Sequence, residues 1–201
     1  MAAKSDIYLG NPNLKKANTQ TEFTQEHIAE FLKCKDDPVY FTETHIKIVN
    51  VDEGLVNFNM YKFQKKLIKN FHKNRFNICK MPRQTGKSTT VVSYLLHYAI
   101  FNDNVNIGIL ANKAATARDL LGRLQLAYEN LPSWMQQGII AWNKGSMELE
   151  NGSKIIAAST SASAVRGMSF NIIFLDEFAF VQNHLADDFF ASVYPTISSG
   201  K

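Results

Sequence analysis

The sequence predicts an α/β fold built on a mostly parallel sheet, and three observations carry that prediction. Short apolar runs with strand character alternate with helical segments along most of the chain. One of these runs leads into "MPRQTGKSTT" (81–90), where a loop containing Gly86 passes into a helix. Another, "NIIFLDE" (171–177), ends in two adjacent carboxylates, Asp176 and Glu177. Strand, loop and buried helix in that order is the context a phosphate-binding loop requires.

Taken in order, residues 1–22 are polar and irregular and read as a loose arm. A helix is predicted from Thr24, its N-cap, with Phe23 and Ile28 spaced as a hydrophobic staple, ending near Asp36-Asp37-Pro38. "VYFTETHIKIVNVDEG" alternates well enough to read as one or two short strands broken by the Asp-Glu-Gly turn. "YKFQKKLIKNFHKN" places Phe63, Leu67, Ile68 and Phe71 on one helical face, with lysines opposite.

"RFNICKM" (75–81) reads as the strand feeding the loop, and "STTVVSYLLHYAIFN" (88–102) as a helix apolar on several faces. "NVNIGILAN" follows as a buried strand and "KAATARDLLGRLQLAYENLP" as a long helix closed by Pro132. Asn151-Gly152, between the alternating runs of "SMELENGSKIIAAS", is a hairpin signal. "NIIFLDE" completes the set as a further apolar strand. There are no repeats or low-complexity segments.

At 201 residues, 45% apolar and 20% charged, the chain can bury a substantial core. It shows no membrane-spanning run and no signal-peptide core. Cys34 and Cys79 are the only cysteines and lack Cys/His partners at zinc spacing, which predicts a reducing cytosol and no structural metal. Net charge is +4. From Gly54 through Asn102 there is no Asp or Glu, while Lys62, Lys65, Lys66, Lys69, Lys73, Arg75, Lys80, Arg83 and Lys87 all fall inside. That block favours a polyphosphate or a DNA backbone, or is a solvated basic helix face.

In the loop, Gly86 permits the tight turn that points successive N–H groups at phosphate oxygens. Lys87 would neutralise phosphate charge, and Ser88 would offer a hydroxyl to Mg²⁺ at the N-terminus of a helix, where the dipole favours an anion. The usual pattern opens on a glycine five residues before Gly86; Met81 stands there instead. Asp176 at a strand end would hold Mg²⁺, and Glu177 beside it would activate water, which favours ATP hydrolysis over kinase chemistry. A strand-capping acidic pair is the plainer alternative for those two. Arg83 is either an arginine finger in cis or an exposed arginine that adds to the field. Gln64 can donate and accept together, as reading an adenine edge requires, or is an ordinary helix-surface glutamine. Arg166, in "SASAVRGMSF", is a phosphate- or neighbour-sensing candidate or a surface loop residue.

Taken together, "MYKFQ", "MPRQTGKST", "LANKAATARDLLGRLQLAYENLP", "SASAVRGMSF" and "IIFLDEFAFV" resemble the large terminase subunit of tailed bacteriophages, of the myophage type. The resemblance runs from about Pro38 to the end. It implies a P-loop NTPase core of the additional-strand, catalytic-glutamate type, using ATP and Mg²⁺. Its loop variant also lacks the first glycine and carries an Arg-Gln pair. It implies Arg83 as the cis arginine and Gln84, Thr85 and Gly86 as loop contacts to phosphate. Lys87 and Ser88 become the phosphate and Mg²⁺ ligands, Gln64 the adenine-reading glutamine, Asp176 the metal-holding aspartate and Glu177 the catalytic glutamate. Its partners are double-stranded DNA, the portal protein and a small terminase subunit, with a homo-oligomeric ring on the portal and no membrane. The resemblance implies the host cytoplasm as the site of action.

The family's pattern continues past "YPTISSGK" with a further strand, a lid and a nuclease domain, so the chain is expected to be a truncated fragment. Residues 1–37 are expected to form an N-terminal arm and helix, and 38–201 the N-terminal part of the ATPase domain, with the C-terminal nuclease domain absent. Two alternatives remain at this level: another P-loop DNA helicase or translocase, or an inactive nucleotide-binding fragment.

Overall fold

The computed structural model describes residues 6–50, 52–160, 167–181, 186, 187, 189 and 191. Among the described residues, 6–18 are docked, against the expectation of a loose arm. Strands β1 (Ile7–Tyr8) and β2 (Asn11–Lys15) pair antiparallel. Leu14 buries into the main core, and the Gln136 amide accepts from the Lys15 N–H at 3.1 Å and donates to the Asn13 carbonyl at 3.0 Å. The Glu150 carboxylate accepts from the Asn18 N–H at 2.9 Å. Composition suggests looseness here because the grip is mostly backbone hydrogen bonding, which composition does not register.

Helix α1 (Gln25–Asp36) starts where predicted, with the Thr24 hydroxyl accepting from the His27 N–H at 3.1 Å. Phe23 and Ile28 are both about half exposed, so the expected staple is a weak one. The next segment corrects the strand prediction: Pro38–His45 is a helix, α2. Asp37 ends α1 and caps α2, its carboxylate accepting from Val39 N–H at 2.8 Å and Tyr40 N–H at 3.1 Å. Pro38 at the first helical position needs no N–H partner, and these local features outweigh the β-branched alternation. Only β3 (Lys47–Asn50) and β4 (Gly54–Asn57) form the expected hairpin.

Helix α3 (Lys62–Lys73) buries Gln64 and Ile68. Phe63, expected on the apolar face, lies outward and stacks on Tyr61 with ring centroids 5.7 Å apart. Helix α4 (Lys87–Phe101) is buried along most of its length, as a helix apolar on several faces must be. Phe41 of α2 meets Phe101 of α4 edge-to-face at 5.4 Å. Removing a buried ring of this kind costs about 3–5 kcal/mol.

Strand β5 (Asn106–Ala111), helix α5 (Ala114–Glu129), and strands β6 (Ile139–Trp142), β7 (Ser146–Leu149), β8 (Lys154–Ser159) and β9 (Ile172–Asp176) complete the core. Their sheet has the order β6-β7-β8-β5-β9. β5 is parallel to β8 and to β9, whereas β6–β7 and β7–β8 are antiparallel. The sheet is therefore mixed, not mostly parallel. The turn through Asn151-Gly152 is the reason: a connection that short can only return the chain antiparallel, and Gly152 at φ +80° accommodates it.

The predicted strand 75–81 does not form. The segment carries no strand, Phe76 is exposed, and Ile78 is 100% exposed. Among the described residues, β9 is the edge of the sheet on that side. A strand needs a ladder partner to satisfy its backbone, and apolar residues alone do not create one.

Candidate functional site

β5, β8 and β9 run parallel, and Ala111 aligns with Ser159 on one side and Asp176 on the other. The carboxyl ends of the three strands therefore share one rim. In open α/β sheets that rim is where ligands bind. Helix α4 brings the loop's lysine to the same place, because the Lys87 charge acts on Asp176.

The loop's conformation is held by Gln64. Its side-chain oxygen accepts from the Tyr61 N–H at 2.8 Å and its amide nitrogen donates to the Thr85 carbonyl at 3.1 Å. Gln64 is 3% exposed, so it is an interior anchor and not a helix-surface residue. Gln84 and Gly86 both have left-handed backbone, at φ 59° and 71°. Left-handed residues in a tight loop turn successive N–H groups toward one concave side, an anion-binding geometry. Gly86 caps α4, and the Thr90 hydroxyl donates to the Gly86 carbonyl at 3.0 Å. The Thr85 hydroxyl donates to the Pro82 carbonyl at 3.1 Å, closing the loop on itself. Lys87 and Ser88 are half-buried at the start of the helix, while Arg83 and Gln84 are exposed.

Asp176 is 6% exposed, and burial pushes its carboxyl upward. The Lys87 and Arg123 charges and a hydrogen bond from the Glu177 backbone oppose that effect, and the Glu177 charge adds to it. The result is a buried carboxylate in need of more positive charge than the protein supplies. Such a carboxylate has the chemistry of a hard-cation ligand, and Ser88 follows Lys87 in the first turn of α4. Glu177 is exposed and sits in left-handed backbone at φ 52°, where it caps a short 3₁₀ turn, Phe178–Phe180. A non-glycine residue held there costs about 1–2 kcal/mol, a strain that concentrates at functional sites.

The structure thus joins Gln64, Thr85, Gly86 and Lys87 in one loop and helix start whose lysine charge acts on Asp176, with Glu177 adjoining Asp176. Arg166 lies outside the described residues. Arg123 of α5 was not singled out from sequence. It pairs with Asp119 at 2.9 Å in an ordinary one-turn spacing, and only the fold reveals that its charge also reaches Asp176.

A family model described as terminase large subunit, T4-like-virus type, N-terminal, matches residues 78–188. The match begins just ahead of the loop and runs past Asp176 and Glu177. Among solved structures, the fold is similar to the crystal structure of the HK97 bacteriophage large terminase, with a TM-score of 0.64 at 18% sequence identity. That likeness covers 80% of this chain and 35% of the other, so this chain spans about a third of that protein's length.

Proposed function

The chain belongs to the T4-like-virus type of terminase large subunits, in their N-terminal portion, and from that premise we propose that it is the ATPase part of a DNA-packaging motor. The observation that supports this best is the pairing of a left-handed Gly86 at the start of α4 with Lys87 acting on the buried Asp176. This is the P-loop reading of the core.

Each residue then has a task. Backbone N–H groups of 84–88 and the Lys87 ammonium bind the phosphates of ATP. Asp176 and Ser88 would hold Mg²⁺, which neutralises charge on the terminal phosphates when bound. Glu177 accepts a proton from the attacking water. Arg83, on the exposed side of the loop, reaches the transferring phosphoryl group from the same chain. Each amide atom of Gln64 retains one further hydrogen-bonding position beyond its two backbone bonds, and these are what an adenine edge would use. Turnover would drive double-stranded DNA through a portal, by a ring of such subunits working with a small terminase subunit. The basic stretch on α3 suits the phosphate backbone of that DNA.

A second reading, nucleotide binding without turnover, is favoured by one observation. The segment entering the loop from its N-terminal side, 75–81, is not held in the sheet. Binding of a fluorescent ATP analogue and phosphate release, measured together on this chain, separate the two. Binding that Lys87→Ala weakens, with turnover that Glu177→Gln removes, supports the ATPase. Binding with background release in both proteins supports the second reading, and no binding overturns both.

A further inference from the structure

Away from the rim, α1 and α2 bring three different metal-ligating side chains to one point. Glu30 and Cys34 are four residues apart on α1, so they share a face, and His45 ends α2. The Glu30 carboxylate oxygen Oε1 lies 2.8 Å from His45 Nε2 and 3.6 Å from Cys34 Sγ. All three donor atoms fall within 4.8 Å of one another. From this we infer that Glu30, Cys34 and His45 form a binding site for a zinc-class divalent transition-metal ion, clamping α1 to α2.

The geometry is close to what such an ion requires. Tetrahedral bonds of about 2.3 Å to sulfur and about 2.0 Å to oxygen separate those two atoms by about 3.5 Å, close to what Glu30 and Cys34 already show. The imidazole and carboxylate must part by about half an ångström, toward the roughly 3.3 Å of a tetrahedral N–metal–O pair. Glu30 is oriented for single-oxygen ligation, because its other oxygen accepts a hydrogen bond from the Tyr40 hydroxyl at 3.1 Å. Ligating carboxylates are held by outer hydrogen bonds of this kind. The side chains of His45 and Glu30 keep 11% and 27% of their exposure, which leaves an entry path and room for a water as fourth ligand. A thiolate, an imidazole and one carboxylate form a borderline-soft set, suited to zinc or cobalt and not to Mg²⁺ or Ca²⁺.

Binding balances simply. The Cys34 thiol proton is released to solvent, and the Nε2 proton now directed at Glu30 leaves or moves to Nδ1. No redox step is involved. Binding gives up the weak thiol contact at 3.6 Å and the 2.8 Å hydrogen bond between Glu30 and His45, and the bonds to the ion replace both. The spacing in sequence is unlike that of zinc motifs, with Cys34 and His45 on different helices, which is why a structural metal is not expected from sequence. The site is independent of the proposed ATPase.

The test is titration of the purified chain with Co²⁺, followed by displacement with Zn²⁺. The expected result is a thiolate-to-cobalt charge-transfer absorption in the near ultraviolet, with strong visible bands of a four-coordinate ion. Cys34→Ser removes the charge-transfer band, His45→Gln weakens binding at least about tenfold, and Cys79→Ser changes neither. Wild-type protein that folds but shows no cobalt–thiolate band overturns the inference. A band abolished by Cys79→Ser and kept in Cys34→Ser overturns it equally. If Cys34→Ser does not fold, the wild-type titration and His45→Gln still decide.

Discussion

The amide nitrogen of Gln64 lies 2.6 Å from where a Cβ on residue 86 would stand. Gly86 is therefore required twice, once by its backbone at φ +71° and once by this contact. Gly86→Ala carries about 1–2 kcal/mol of left-handed strain and pushes Gln64 off the Thr85 carbonyl. The expected outcome is at least a tenfold loss of affinity for a fluorescent ATP analogue. Adding Gln64→Ala should not restore it, because the backbone strain stays. Affinity within twofold of wild type in Gly86→Ala would remove the loop geometry from the account of binding.

Glu177 presents a conflict between stability and chemistry. Glu177→Gly relieves left-handed strain and is expected to raise stability by about 1 kcal/mol, read from the urea midpoint, while phosphate release drops to background. Glu177→Gln leaves the strain and the stability unchanged and also stops release. A Glu177→Gly protein that still turns over ATP would strip Glu177 of its proposed role.

Arg83 is exposed and outside the hydrogen bonds that hold the loop, so its loss should not disturb the fold. In a full-length large subunit, Arg83→Ala is expected to bind ATP as wild type does and to lower kcat about a hundredfold or more. An unchanged kcat would leave Arg83 as a contributor to local charge only.

His97 sets an acid limit on stability. It is buried, its Nε2 donates to the Cys34 carbonyl at 2.9 Å, and its Nδ1 has no hydrogen-bond partner among the described residues. Burial pulls it down to about 4, His72 adds to that, and the Cys34 and Lys35 backbone and Asp37 partly oppose it. The unfolded chain takes up a proton near pH 6.5 that the folded chain refuses until about pH 4, so stability falls as pH drops through that window. At about pH 5 the loss from this group is about 2 kcal/mol. Urea midpoints between about pH 7 and pH 5 should fall more steeply for wild type than for His97→Phe. Equal slopes would remove His97 from the explanation.

Asp37 joins two helices, and its carboxylate caps the second through two N–H groups. Asp37→Ala is expected to cost about 1–2 kcal/mol, measured by thermal or urea unfolding, with Asp37→Asn recovering most of it. A loss below about 0.3 kcal/mol would mean that Pro38 and packing alone hold α2.

The elements that sequence predicted well are those whose signal is local. Thr24 caps a helix, Asn151-Gly152 turns a hairpin, and β9 ends in Asp176-Glu177 as read. What sequence misread depends on partners far along the chain. Val39 and Phe41 alternate like strand residues, yet Asp37 and Pro38 start a helix there. The run 75–81 has a strand's composition but no neighbouring strand among the described residues. Gln64 was named for its chemistry, while its burial and its grip on Thr85 came from the fold. The cluster of Glu30, Cys34 and His45 was invisible because only the packing of α1 against α2 across Asp37 brings the two helices' side chains together.

Among the described residues, β9 is an edge strand, and its sequence bears on what that edge can pair with. Ile172-Ile173-Phe174-Leu175 is β-prone, uncharged until Asp176 and free of proline, and it has ladder partners on one side only among the described residues. Native sheets blunt such edges with lysine, proline or a bulge, and this strand has none of them. Next to it in function, if not in the sheet, Ile78 offers a second apolar strand-like surface. Among the described residues, the strand that carries the candidate catalytic carboxylate is therefore also one with backbone groups left to pair with another strand.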